Sequence, residues 1–137
     1  MAKLAESFAA AWNAGVWGLV LGLWHDLGKY TIDFLNYLFS ANGVEAHLEQ
    51  VRGRVDHSTA GAQHARRQYD QKQALIGDIL AYCIAGHHGG LPDFSDSHGS
   101  SGLSDRLKKP VPAIEPPPED ISLLRSCPRL TVPLRLV

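Results

Sequence analysis

The chain has 137 residues, of which 45% are hydrophobic and 20% charged, with a formal net charge of -1. These values fit one globular domain that closes its own core, and they exclude the broad basic field with which proteins grip long duplex DNA. The departure from an ordinary composition is seven histidines, set in pairs and beside acids, which directs attention to metal chemistry.

Lys3 to Trp12 carries Leu4, Phe8 and Ala11 at helical spacing on an alanine-rich background, predicting an amphipathic helix that Asn13-Ala14-Gly15 breaks. Val16 to Trp24 is apolar on nearly every side. The second helix is therefore central, delivering His25-Asp26 at its C-terminal end with Gly28 as its stop. Thr31 can cap a third helix with Asp33 in its first turn, a buried stripe of Phe34, Leu35 and Leu38, and Asn42-Gly43 as its end. Between Val44 and Val55, charged residues and Gly53 leave open an ordered loop or a short helix. Asp56 or Ser58 can cap a fourth helix that runs through Ala60-Gly61-Ala62 to Tyr69, its small residues allowing close helix contact. A fifth helix, Gln73 to about Ala85, turns Leu75, Ile76, Ile79, Leu80 and Ile84 to the core and ends in Gly86-His87-His88-Gly89-Gly90.

After Leu91-Pro92-Asp93 the sequence turns polar from Ser95 to Ser104, and seven of the eight prolines lie from Pro110 onward. Pro116-Pro117-Pro118 is extended, and Ile121 to Val137 is cut by Pro128 and Pro133, so no packed terminal helix is predicted. The expected architecture is an all-α helical bundle over residues 1–94 followed by a flexible, proline-rich C-terminal segment over 95–137. Cys83 and Cys127 have neither zinc-knuckle spacing nor the density of a disulfide scaffold, and Ala14 to Trp24 falls short of the roughly 20 apolar residues of a membrane span. The expected setting is cytoplasmic, with no membrane.

Three polar clusters, His25-Asp26, Asp56-His57-Ser58 and His87-His88, each fall at a predicted helix boundary. A histidine beside an aspartate offers a neutral nitrogen ligand and a carboxylate whose two oxygens can each hold a different cation. Facing helices of a bundle commonly build metal sites, and Asp26, His57, His87 and His88 suffice for one cation. Neighbouring residues on a regular helix point about 100° apart, so His87 and His88 can meet one metal only where the helix unwinds. Gly86, Gly89 and Gly90 supply that freedom, whereas a role against the helix dipole needs neither the glycines nor a second histidine.

Lys29 can hold a phosphate oxygen or form a surface ion pair. Ser58 can contact a phosphate from a helix N-terminus or serve as a plain cap. His64 and His98 read as solvated surface, His47 is open to either reading, and Arg52, Arg54, Arg66 and Arg67 can form a local track for a single strand.

The strings Trp24-His25-Asp26-Leu27-Gly28-Lys29, Asp56-His57-Ser58-Thr59-Ala60-Gly61-Ala62 and Ile84-Ala85-Gly86-His87-His88-Gly89-Gly90-Leu91-Pro92-Asp93 resemble the HD nuclease domain of the CRISPR-associated helicase-nuclease of type I systems. The His-Asp pair alone marks only the wider HD metal-dependent phosphohydrolase superfamily. The two later motifs narrow it. The resemblance implies an all-helical HD domain that cuts single-stranded DNA with one or two divalent metals. The strand is displaced by the CRISPR surveillance complex and fed by a helicase domain or subunit. His25 then looks like a ligand of a first metal and Asp26 a bridge between two. His57, His87 and His88 look like ligands of the second, with Lys29 and Ser58 beside the scissile phosphate. Mixed imidazole and carboxylate ligation admits manganese, iron, cobalt, nickel or zinc, with magnesium also admissible.

Two departures bear on the first metal. The family's histidine upstream of the His-Asp pair has no counterpart before His25, and its late aspartate faces Leu123-Leu124-Arg125-Ser126-Cys127, with Asp120 the nearest acid. The chain thus looks truncated at both ends, which implies about one bound metal and feeble cleavage. The rival readings are an HD-type nucleotide phosphohydrolase and a degenerate, non-catalytic metal-binding module that binds a partner such as the helicase.

Overall fold

A computed structural model describes residues 1–41, 56–69, 71–95, 102–115 and 130. The chain is all-α: α1 (Ala2–Ala10), α2 (Gly15–Trp24), a 3₁₀ turn (Leu27–Tyr30), α3 (Ile32–Ala41), α4 (His57–Gln68), a second 3₁₀ turn (Gln71–Gln73), α5 (Ala74–Gly86) and α6 (Leu103–Lys108). The described residues hold no strand, only an isolated bridge between Thr31 and Ile114. No helix among them is long and apolar enough to cross a membrane. The expectations for Asn42 to Val55, His98 and Ile121 to Val137, Leu130 apart, lie outside the described residues.

The first turn is made by Asn13 at φ 56, a left-handed conformation that asparagine tolerates, and it folds α1 back along α2. Their contact differs from the expected one. Ala2, Ala5 and Ala9 lie against Gly22 and Gly18, so the backbones approach too closely for large side chains between them. Leu4 and Phe8 consequently point outward, Phe8 with 66% of its surface exposed.

The core gathers where α2, α4 and α5 meet: Val20, Trp24, Leu27, Ala62, Ala65, Ile76, Leu80, Ala81 and Ile84 are buried together. Along α4, Ala60, Gly61 and Ala62 are all buried, as small residues at a close contact should be. In α5, Ile76, Leu80 and Ile84 recur every four residues and form the inward stripe. Leu75 and Ile79 were also expected there, but each precedes a stripe residue by one position, about 100° round the helix, and Leu75 is 63% exposed. Of the α3 stripe, Phe34 and Leu35 are half-buried and Leu38 is exposed.

Past residue 94 the chain contributes a further packed element. Leu103 of α6 is fully buried in the same core, and Gln63 of α4 donates to the Arg106 and Lys109 carbonyls at 2.9 and 2.6 Å. His64, expected at the surface, stands edge-on to Trp24 with ring centres 5.0 Å apart. Burial and the nearby Arg67 charge lower its pKa to about 4, so this imidazole is neutral at pH 7.

Candidate metal centre

The site is assembled from helix ends. α2 stops at Trp24, earlier than Gly28, and His25 is its C-cap. The last carbonyls of a helix lack N–H partners, and His25 Nδ1 donates to one of them, Gly22, at 3.0 Å. His87, the C-cap of α5, repeats the device by donating from Nδ1 to the Ile84 carbonyl at 2.6 Å. Each bond leaves Nε2 as the lone-pair nitrogen, as in metal-ligating histidines whose other nitrogen is tied to a carbonyl. Because α5 ends at Gly86, His87 and His88 leave the regular helix together, and Gly90 at φ +86 completes the turn.

After His25 the chain tightens into the 3₁₀ turn, in which residues three apart eclipse one another. Lys29 is thereby brought over Asp26, Nζ to Oδ2 at 2.8 Å. Gly28 lies under the His57 backbone, where a side chain would strike the His57 carbonyl, so its role is close approach and not the end of α2. The Thr31 hydroxyl donates back to the Gly28 carbonyl at 2.8 Å.

Asp56 is the N-cap of α4. Its Oδ1 accepts from the Thr59 backbone N–H at 3.1 Å and from Ser58 Oγ at 3.0 Å, and its Oδ2 from Thr59 Oγ1 at 2.7 Å. His57 is thus fixed as the first helical residue. Ser58 belongs to the helix and not to the cap, with its oxygen turned to Asp56 and to Arg106 Nη2 at 2.6 Å.

Asp26, His57, His87 and His88 each offer one ligand atom, and these four atoms lie within 4.8 Å of one another. Asp26 Oδ1 is 3.6 Å from both His57 Nε2 and His87 Nε2, and the Nε2 atoms of His57 and His88 are 2.9 Å apart. Tetrahedral ligand bonds of about 2.0–2.2 Å set donors about 3.3–3.6 Å apart, close to the Asp26 separations, so small side-chain shifts, with His57 and His88 moving apart, close the set on one ion. The fit is supported by two buried atoms that have no hydrogen-bond partner among the described residues, Asp26 Oδ1 and His87 Nε2, both facing the same point. Buried polar atoms without partners are costly, and a cation would satisfy both.

His25 stands on the other side of the carboxylate, its Nε2 3.2 Å from Asp26 Oδ2. The two oxygens of Asp26 therefore have different neighbours: Oδ1 has His57 and His87, Oδ2 His25 and the Lys29 ammonium. Burial works to raise the Asp26 carboxyl, but the Lys29 hydrogen bond and the facing His25, Lys29 and His57 together hold it below the ordinary carboxylate range. For Asp56, burial is likewise outweighed by the Thr59 and Ser58 hydrogen bonds and the Arg106 charge.

Beside His57 and His88 opens a cleft of about 220 Å³, lined also by Asp56, Ser58, Gly89 and Arg106. Arg106 has no place in the sequence expectations. Its only signal was Leu103 and Leu107 four apart on either side of it, hidden after a serine- and glycine-rich stretch. Arg66 and Arg67, expected along a strand track, lie at the far end of α4, about 14–15 Å from His57 at about 1.5 Å per residue, and Arg66 is paired with Asp78 at 2.6 Å.

Searches of curated proteins and of solved structures each found no match. A family model described as "Cas3, HD domain" matches residues 2–121, a span that holds every residue of the cluster and reaches past residue 94 to include α6. With the helical bundle and the Asp-His cluster at its helix ends, the match shows that the chain belongs to the Cas3 HD-domain family, metal-dependent hydrolases of CRISPR systems.

Proposed function

We propose that this domain hydrolyses phosphodiester bonds of single-stranded DNA in type I CRISPR defence. The strand is displaced by the surveillance complex and delivered by a helicase domain or subunit. The observation that carries the proposal is Asp26 Oδ1, buried without a hydrogen-bond partner among the described residues and 3.6 Å from two imidazole nitrogens, a donor set suited to a divalent cation. Asp26, His57, His87 and His88 would hold the ion, of the manganese-to-zinc series or magnesium. When bound, such an ion supplies Lewis acidity to a phosphoryl oxygen and lowers the pKa of water.

The chain's own residues prepare the rest. Lys29 holds Asp26 Oδ2 and so keeps Oδ1 turned to the histidines; its side chain is 39% exposed, within reach of a phosphate oxygen. His25, fixed by the Gly22 carbonyl, presents Nε2 on the Oδ2 side. A second cation bridged through Oδ2 would have to displace the Lys29 ammonium. We therefore assign one tightly held ion per chain and slow cleavage.

The cleft beside His57 and His88, at about 220 Å³, is smaller than the roughly 300–1,000 Å³ of pockets that enclose a small molecule. A strand crossing the surface fits it better than an enclosed nucleotide, which weighs against the phosphohydrolase alternative. The test is metal content by mass spectrometry together with cleavage of a labelled single-stranded oligonucleotide and of a nucleotide panel. One ion per chain and slow strand cutting lost in Asp26→Ala support the proposal. Two tightly held ions, or brisk cleavage abolished by Asp26→Ala, would refute the one-ion assignment; preferential nucleotide hydrolysis would refute the substrate, and intact folding with no activity would favour the non-catalytic module.

A further inference from the structure

Helix α6 carries no member of the ligand cluster, yet one of its side chains touches two of the three elements that do, α4 and α5. Arg106 Nε donates to Thr59 Oγ1 at 2.9 Å and Nη2 to Ser58 Oγ at 2.6 Å, both in the first turn of α4 directly after His57. Its Nη1 donates to the Ala85 carbonyl at 3.0 Å, two residues before His87. Nη2 also lies 3.4 Å from Asp56 Oδ1, the oxygen that caps α4. The side chain is 16% exposed. A planar guanidinium with five donors in a rigid fork can hold such a set of acceptors in a fixed relation, which the single ammonium of lysine cannot.

The two elements also pack directly, Gly61 against Ile84, and pair farther along through Arg66 and Asp78 at 2.6 Å; the Arg106 fork adds polar ties at the ends that carry the ligands. His57 and His88 are 31 residues apart in sequence, yet their Nε2 atoms are 2.9 Å apart. Metal coordination tolerates only about 0.2 Å of error in ligand distance, so a small slide between the packed ends of α4 and α5 is enough to spoil the set. We propose that Arg106 is the positioning residue of the metal centre. It does not touch the ion but clamps the start of α4 to the end of α5, so that His57, His87 and His88 stay within coordination distance. Metal affinity and coordination geometry then depend on it, an inference that rests on reading Asp26, His57, His87 and His88 as a cation site.

The simpler account, that Arg106 only docks α6, is separable through Gln63. Its side-chain amide fastens α6 by the Arg106 and Lys109 carbonyls without engaging the guanidinium, and it lies about 9 Å further along α4 than His57 at about 1.5 Å per residue. The experiment titrates the whole chain with Co²⁺, whose visible absorption reports coordination geometry, in wild type, Arg106→Met, Arg106→Lys and Gln63→Ala, with thermal melting of each. Arg106→Met is expected to weaken Co²⁺ binding by about 10–100-fold, the range for groups that orient metal ligands, and to change the visible bands. Arg106→Lys recovers part of both, while Gln63→Ala lowers the melting temperature and leaves affinity and bands as in wild type. Wild-type affinity and bands in Arg106→Met, or the same loss of affinity in Gln63→Ala, would overturn the clamp. Should Arg106→Met not fold, Arg106→Lys against Gln63→Ala decides by the same two readouts. A wild-type chain that binds no Co²⁺ overturns instead the cation site on which the clamp rests.

Discussion

Replacing Gly28 with alanine tests how closely the His-Asp segment must approach α4. A methyl group there would fall on the His57 carbonyl oxygen, 2.6 Å from the carbonyl carbon and 2.9 Å from the α-carbon. Carbons in contact rest about 3.5–4.0 Å apart, so the two backbones must separate by about 1 Å. Backbone, unlike the tip of a side chain, cannot swing aside. Overpacking of this kind costs about 1–3 kcal/mol, which for a chain of this size lowers the melting temperature by roughly 3–10 °C. The effect on the site is larger in proportion. A shift of about 1 Å between Asp26 and His57 is several times the coordination tolerance of about 0.2 Å. Gly28→Ala should therefore fold, melt early and bind metal at least about tenfold more weakly, as read by circular dichroism melting and calorimetric titration with Mn²⁺ or Zn²⁺. Wild-type melting and wild-type affinity in this variant would refute the view that the Gly28 contact sets the spacing of the site.

Asp56→Ala removes the α4 cap and should destabilise the chain by about 1 kcal/mol, whereas Asp56→Asn, which keeps an acceptor for the Thr59 N–H, should lose less; urea midpoints distinguish the two. His64 carries a pKa of about 4 in the fold against 6.5 ordinarily, so between those values the unfolded chain binds a proton that the folded chain refuses. Its contribution is complete above pH 6.5 and is lost as pH falls towards 4, and His64→Phe should flatten the slope of stability in that window; an unchanged slope would remove His64 as its cause. A divalent cation at about 100 times its dissociation constant should stabilise the fold by about 2.7 kcal/mol, reversibly with chelator, and Asp26→Ala should abolish the increment in thermal melts.

Each ligand histidine is held by something the backbone does at a helix terminus. His25 and His87 use carbonyls that the last turn leaves over, His57 takes its place from the Asp56 cap, and His88 follows into the glycine turn. Termini are where a helix has unsatisfied groups to orient side chains, so a metal cluster built there needs few additional contacts. Arg106 makes the longest-range of those.

Local patterns in the sequence were enough to define α2, α4 and α5, the stops of α4 and α5 to within a residue, and the placing of three polar clusters at helix ends, though not that α2 stops at Trp24. Periodicity, capping residues and glycine act over three or four residues and leave their signature in order along the chain. The same rules could not choose between Asp56 and Ser58 as cap, because both are competent and only the Thr59 N–H and the Arg106 fork separate them. What tertiary structure alone decided involves partners far apart in sequence. Leu4 and Phe8 face outward because alanines met glycines across α1 and α2, and His64 is half-buried because Trp24 lies against it. α6 docks through Leu103, and Arg106 crosses from it to Thr59, 47 residues away. The sharpest case is Asp26. Its type and position are plain in the sequence, but the division of its oxygens, Oδ2 to Lys29 and Oδ1 to His57 and His87, exists only once distant helix ends are packed together.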